Sequence, residues 1–185
     1  MKQLQTKLEG LILLEPKVFG DSRGYFLETY HAGKYEAFGI SDAFVQDNIS
    51  FSGKGILRGL HFQLPPKAQG KLVQVLRGEA FDVAVDLRLD SKTFGKWEGV
   101  ILTEENKRQF YVPAGFAHGF CTLTDHVLFF YKCTDFYSQE LERGLHWNDP
   151  VIGIDWPVEN PVLSVKDEKY PDLKTVRNEL ERNGS

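Results

Sequence analysis

Polar and apolar positions in this chain mostly alternate, which is the period of a strand with one face buried. Residues 11–15 make a short apolar run closed by Pro16, and residues 24–30 alternate again. Between them Gly20, Asp21, Ser22 and Gly24 crowd residues 19–23, which read as a turn-rich loop. Residues 31–38 carry the apolar spacing of one short helix, ended by Gly39. Strands are predicted at 44–50 and at 55–63, the second stopped by Pro65 and Pro66. The clearest strand pair is 71–76 with 80–87, joined by Arg77-Gly78-Glu79 as a three-residue hairpin connection. In its second strand Phe81, Val83, Val85 and Leu87 share one face, and Asp82, Ala84 and Asp86 share the other. Further strands are predicted at 97–102, 108–112, 119–123 and 127–132. Turn residues separate them at intervals of about 8–12 residues, the rhythm of a sandwich or barrel. Helical spacing returns only near the end, at roughly 172–181. The pattern predicts an all-β, jelly-roll-type barrel with short peripheral helices. It predicts one domain over residues 1–185, with a helical C-terminal tail from about 170 to 185.

Composition narrows the function classes. A chain of 185 residues can bury a real core as one domain. The 14 phenylalanines suit a packed aromatic β interior. A formal net charge of -4 without a long basic run argues against nucleic-acid binding. The apolar run at 11–14 is shorter than the roughly 7–15 residues of a signal core or the roughly 20 of a membrane span, so neither is expected. Cys121 and Cys133 lack metal-like or redox-like spacing and read as buried thiols in a reducing cytoplasm.

Small-molecule sites commonly lie between facing sheets at a barrel mouth. Polar residues on otherwise apolar strands are therefore the candidates. His61 sits in such a strand, as a core histidine or as a general base. Arg58 shares that strand, either as a surface arginine on the face opposite His61 or, where Gly59 marks a bulge, turned inward with it. Lys71 opens the next strand, either exposed at a strand end or turned inward. Asp82 is a solvent-facing strand residue, or a buried carboxylate that needs a partner. Tyr131 reads as a core tyrosine or an inward phenol, and Tyr137 as a packing residue or a ring that stacks a flat ligand. His118 lies in what reads as a glycine-bounded loop, where packing alone does not explain a histidine. A metal site is not expected. The His-x-His-plus-glutamate pattern of metal-binding cupins is missing, since His61 is followed by Phe62 and Gln63.

Several segments, in order, are similar to those of one family. Residues 20–28 (GDSRGYFLE) resemble its D-x-R-G-x-F-x-E loop, and residues 44–50 (FVQDNIS) its F-x-Q-x-N-x-S segment. Residues 55–63 (GILRGLHFQ) resemble its G-x-x-R-G-x-H-x-Q strand. Lys71-Leu72-Val73, Arg77-Gly78, residues 113–120 and 131–134 continue in order, as do 144–150, 154–157 and 163–167. The likeness spans roughly residues 9 to 171, and a set of ordered motifs is far more specific than any one residue. The family is the dTDP-4-dehydrorhamnose 3,5-epimerases. Departures are few: Gln139 stands where many relatives have proline, and Tyr25 and Leu27 are ordinary variation.

The resemblance implies a cupin-like jelly roll, a homodimer, no cofactor and a dTDP-sugar substrate. It implies inversion of dTDP-4-keto-6-deoxy-D-glucose at C3 and C5, giving dTDP-4-keto-L-rhamnose for dTDP-L-rhamnose synthesis. Both carbons flank the C4 ketone, so proton loss leaves an enolate. By the family's motifs, His61 is the base, Lys71 the enolate stabiliser and Tyr131 the opposing acid. Asp167 is the first choice to orient His61, with Asp82 second. Arg23, Arg58 and Lys166 are the implied phosphate contacts. Glu28, Gln46, Asn48, His118 and Glu142 are further substrate contacts, and Tyr137 stacks thymine. The Arg23 loop reaches the neighbouring subunit's site. Rival readings are a C3-only or C5-only epimerase, a metal-dependent cupin, and a non-catalytic sugar-nucleotide binding module.

Overall fold

A computed structural model describes residues 1–183. Its strands are β1 (Lys2–Leu4), β2 (Ile12–Glu15), β3 (Val18–Asp21), β4 (Gly24–Leu27), β5 (Gln46–Ser52), β6 (Leu57–Gln63) and β7 (Lys71–Arg77). They continue as β8 (Glu79–Asp86), β9 (Trp97–Thr103), β10 (Gln109–Val112), β11 (Phe116–Thr122), β12 (Val127–Cys133) and β13 (Glu142–Gly144). The helices are α1 (Ala32–Glu36) and α2 (Leu173–Arg182). One sheet runs β1-β2-β10-β7-β12-β5 and the other β13-β6-β11-β8-β9. The two sheets face each other as a cupin-like jelly roll.

Alternation decides what each face buries. Val73, Val75, Phe110 and Phe129 of the first sheet meet Ala80, Ala84, Leu102 and Phe120 of the second in one core. Phe120 and Phe129 stack across the gap with ring centroids 3.8 Å apart and planes 5° from parallel. That aromatic plug fills one part of the inter-sheet space and leaves the rest as a cavity. The opposite face of β8 carries Val83 and Val85, and Ile152, Ile154, Leu173, Val176 and Leu180 cover it. Helix α2 can start there because the Asp172 side chain accepts from the Thr175 amide at 2.8 Å. Helix α1 covers the outside of the first sheet, with Tyr35 packed on Ile12, Leu14 and Leu72.

Three sequence expectations need correction. Residues 19–23 are not a loop: β3 and β4 pair from Val18↔Leu27 to Asp21↔Gly24. The turn needs only Ser22 and Arg23, because Asp21 accepts from the Arg23 amide at 2.8 Å and Gly24 adopts φ +126°. Second, 71–76 and 80–87 do not pair as a hairpin. β7 lies between β10 and β12, and β8 between β11 and β9, so Gly78 carries the chain from one sheet to the other. The connection is tied to other loops: the Gly78 amide donates to Glu104 at 3.1 Å and the Glu79 amide to Thr124 Oγ1 at 2.9 Å. Third, His118 lies on β11, not in a loop, and is buried. Boundaries also move. The helix at 31–38 shortens to α1 with His31 as its cap residue, and the strand at 44–50 begins at Gln46.

Asp86 ends β8 with a buried carboxylate that accepts from Arg88 Nε at 2.9 Å and from Ser91 and Thr93 hydroxyls, each at 2.6 Å. Burial opposes ionisation here, but these donors outweigh it and hold the carboxyl down at about 2. A depressed carboxylate stabilises the fold above its unfolded value near 4 and loses that contribution as pH falls toward 2. Asp86→Asn is therefore expected to cost about 1–2 kcal/mol at neutral pH. Urea melts across pH should show the gap to the parent closing as pH drops below about 4. A gap constant with pH would mean that packing, not charge, makes the difference.

Candidate active site

The inter-sheet cavity has a volume of about 520 Å³, and a smaller recess of about 260 Å³ adjoins it. His61, Lys71, Tyr131 and Glu142 line both, so the two make one continuous cleft. His61 comes from β6 of one sheet; Lys71 and Tyr131 come from β7 and β12 of the other.

Simple alternation puts Arg58 and His61 on opposite faces. The pairing of β6 with β11 slips between them: Arg58 faces Phe120 while His61 faces His118. This bulge brings both side chains to the cleft. It requires glycines, since a Cβ on Gly59 would lie 2.6 Å from the Gly119 Cα. Arg58 is steadied by the Ser52 hydroxyl, which accepts from its Nε and Nη2 at 3.2 Å each.

His61 Nε2 is hydrogen-bonded to Asp167 Oδ1 at 2.7 Å. Nδ1 is therefore the ring nitrogen left to face a ligand. Asp167 is buried, which works to raise its carboxyl, but the His61 hydrogen bond and charge and the Gly59 amide hold it below its ordinary value. Asp82 has a different partner. Its two oxygens lie 3.0 Å from His118 Nε2, on neighbouring strands of the same sheet. Burial pushes the Asp82 carboxyl up, against the pull of His118 and Lys71. Of the two aspartates weighed for His61, Asp167 makes the contact.

Lys71 lines the enclosed part of the cleft. Burial lowers its pKa, partly offset by Cys133, Asp82 and Glu142. Burial raises the Tyr131 phenol, so it stays protonated at neutral pH. At the cleft's outer end Gln46 Nε2 donates to Asn48 Oδ1 at 3.0 Å, and Gln46 accepts from the Tyr137 amide at 2.9 Å. The Tyr137 hydroxyl donates to Glu142 at 2.9 Å, and Lys166 Nζ donates to the same carboxylate at 2.8 Å. The Tyr137 ring is exposed.

Arg23 and Glu28 are not brought to this cleft within one chain. Arg23 tips the β3–β4 hairpin, ion-paired with Asp21, and Glu28 accepts from Lys34 Nζ at 2.7 Å. The sequence reading missed Ser50, which lines the cavity with a buried hydroxyl that has no hydrogen-bond partner among the described residues. Its parity with Gln46 and Asn48 on β5 was the available signal. No group of three His, Cys, Asp or Glu side chains placed for a metal ion occurs among the described residues. Nor is any helix there long and apolar enough to cross a membrane.

A sequence profile of the dTDP-4-dehydrorhamnose 3,5-epimerases matches residues 5–175. The chain belongs to that family. It is 56% identical over 176 residues to the dTDP-4-dehydrorhamnose 3,5-epimerase of Shigella flexneri, covering 93% of this chain and 97% of that one. The crystal structure of the Legionella pneumophila epimerase in complex with dTDP-4-keto-L-rhamnose superposes with a TM-score of 0.93 at 53% identity, covering 97% of this chain and 96% of that one. The Bacillus anthracis epimerase, solved with TDP and pyrophosphate bound, gives 0.91 at 50% identity over 92% and 98%. The enzyme is thus a carbohydrate epimerase of the dTDP-rhamnose pathway, acting at C3 and C5 of dTDP-4-keto-6-deoxy-D-glucose.

Proposed function

We propose that His61 and Tyr131 carry out the two proton transfers of each inversion from opposite sides of the sugar. The observation behind this is their origin on opposed sheets that line one cleft, with Lys71 beside Tyr131. His61 takes the proton from the carbon next to the ketone and becomes an imidazolium. The C–H electron pair moves onto the C4 oxygen as an enolate. Asp167 stabilises the imidazolium and orients its ring, and Lys71 faces the developing oxyanion. Tyr131 then gives its phenol proton to the opposite face of the carbon. Solvent restores both groups, and the cycle repeats at the second carbon. No hydride or electron is transferred, so the chemistry asks for no cofactor.

The nucleotide occupies the outer part of the cleft. Arg58 and Lys166 meet the diphosphate, and Gln46, Asn48, His118 and Glu142 supply hydrogen bonds. Tyr137 stacks thymine. Arg23 and Glu28 act from a homodimer, in which the hairpin of each subunit reaches its neighbour's site. The hairpin's exposed Phe19, Tyr25 and Phe26 support this, since an isolated chain leaves them bare at 53%, 60% and 70%. The buried, unpaired Cys121 and Cys133 support a reducing cytoplasm.

The reaction is checked by trapping the product with a reductase and by following solvent deuterium into C3 and C5. The acid is checked with Tyr131→Phe. Deuterium exchange is expected to survive better than net C5 inversion, because abstraction by His61 does not use the Tyr131 proton. Exchange lost as fully as in His61→Asn would count against Tyr131 as the acid.

A further inference from the structure

The segment that supplies Asp167 brings a second group to the same imidazole. Residues 167–169 form one 3-10 turn, and Tyr170 follows in extended conformation. Its ring packs against His61 with centroids 5.6 Å apart and planes at 75°. The ring rests on Gly144, the residue of β13 that pairs with His61 of β6. A Cβ on Gly144 would lie 2.3 Å from three ring atoms, so only glycine leaves room for the ring. The backbone on both sides is fixed. The Asp167 amide donates to Ser164 Oγ at 3.1 Å, Pro171 holds Tyr170 extended, and the Pro171 carbonyl accepts from the His146 amide at 2.8 Å.

We propose that Tyr170 is a positioning residue for His61, its ring fixing the imidazole rotation that the Asp167 hydrogen bond leaves free. One hydrogen bond sets where Nε2 points, but the ring can still pivot about that bond and swing Nδ1. An aromatic ring set edge-to-face against the imidazole restricts that pivot. Proton abstraction needs Nδ1 within hydrogen-bond reach of the carbon's proton, and small misplacements are costly. Burial, followed by the Glu142 charge, pushes the Tyr170 phenol up to about 12, so it remains neutral and contributes its ring, not a charge. The inference rests on His61 being the base.

The test is C3 and C5 deuterium exchange on dTDP-4-keto-6-deoxy-D-glucose. Tyr170→Ala is expected to lower kcat for exchange about tenfold at both carbons with KM little changed. Tyr170→Phe, which keeps the ring, should match the parent. Gly144→Ala, which evicts the ring without altering Tyr170, should reproduce Tyr170→Ala. If Tyr170→Ala does not fold, Tyr170→Leu replaces it, with thermal melts confirming the fold. Equal losses in the Phe and Ala variants would overturn the proposal in favour of the hydroxyl. A raised KM with intact kcat would overturn it in favour of substrate binding. His61→Asn separates the two levels. Exchange surviving in that variant refutes the base itself, whereas a dead His61→Asn beside an unimpaired Tyr170→Ala refutes only the positioning role.

Discussion

His61→Asn is expected to abolish solvent deuterium incorporation at both C3 and C5. General-base catalysis is worth about 100- to 10,000-fold, and an amide cannot accept the proton. Asparagine is the informative replacement. Its amide is neutral and fits within the space of the imidazole, and Asp167 keeps the Gly59 amide as a donor when the 2.7 Å imidazole contact is lost. The fold and the cleft should therefore persist, and binding of dTDP by calorimetry should stay near the parent's. A single base serving both carbons demands that both exchanges fall together. Exchange that continues at one carbon at the parent rate would mean that a second base works there. His118 would be the first to examine, since it lines the same cavity.

Lys71→Met is expected to reduce kcat by about 100- to 1000-fold, the usual loss for one preorganised group at a developing oxyanion. Methionine keeps an unbranched chain in the same space, so the loss reports charge. The same substitution should leave the melting temperature unchanged or raise it. A cation in a place where burial lowers its pKa is held there at a cost to stability, and an apolar chain relieves that cost. Activity and stability moving in opposite directions would identify Lys71 as kept for chemistry. A fall of less than tenfold in kcat would shift the enolate contact to another donor, and a lower melting temperature would show Lys71 to be structural.

Much of the fold was legible in the sequence because alternation is a local property. The strands near 71–76, 80–87, 97–102 and 127–132 and the terminal helix at 172–181 all follow from side-chain period alone. Pairing was less legible. The Arg77-Gly78-Glu79 connection has hairpin chemistry, yet it crosses between sheets, because partner choice depends on which strands compete for each edge. Candidates for a base, an acid and a cation were readable at His61, Tyr131 and Lys71. Without the family's motifs, however, each read more readily as a core or surface residue.

Contacts between distant segments are another matter. Asp167 and Asp82 were both candidate partners for His61, and nothing local separates them. The chain brings Asp167 back across more than a hundred positions to 2.7 Å from the imidazole, while β8 and β11 spend Asp82 on His118. Tyr170 on Gly144 is the same kind of fact. The sequence by itself determined the strand period, the all-β class and, through ordered motifs, the family and its reaction. Tertiary structure alone decided which sheet each strand joins, which aspartate faces which histidine, and that His61 and Tyr131 stand on opposed sheets. Period is written in neighbouring residues, whereas those pairings are set by packing energies summed over the whole barrel.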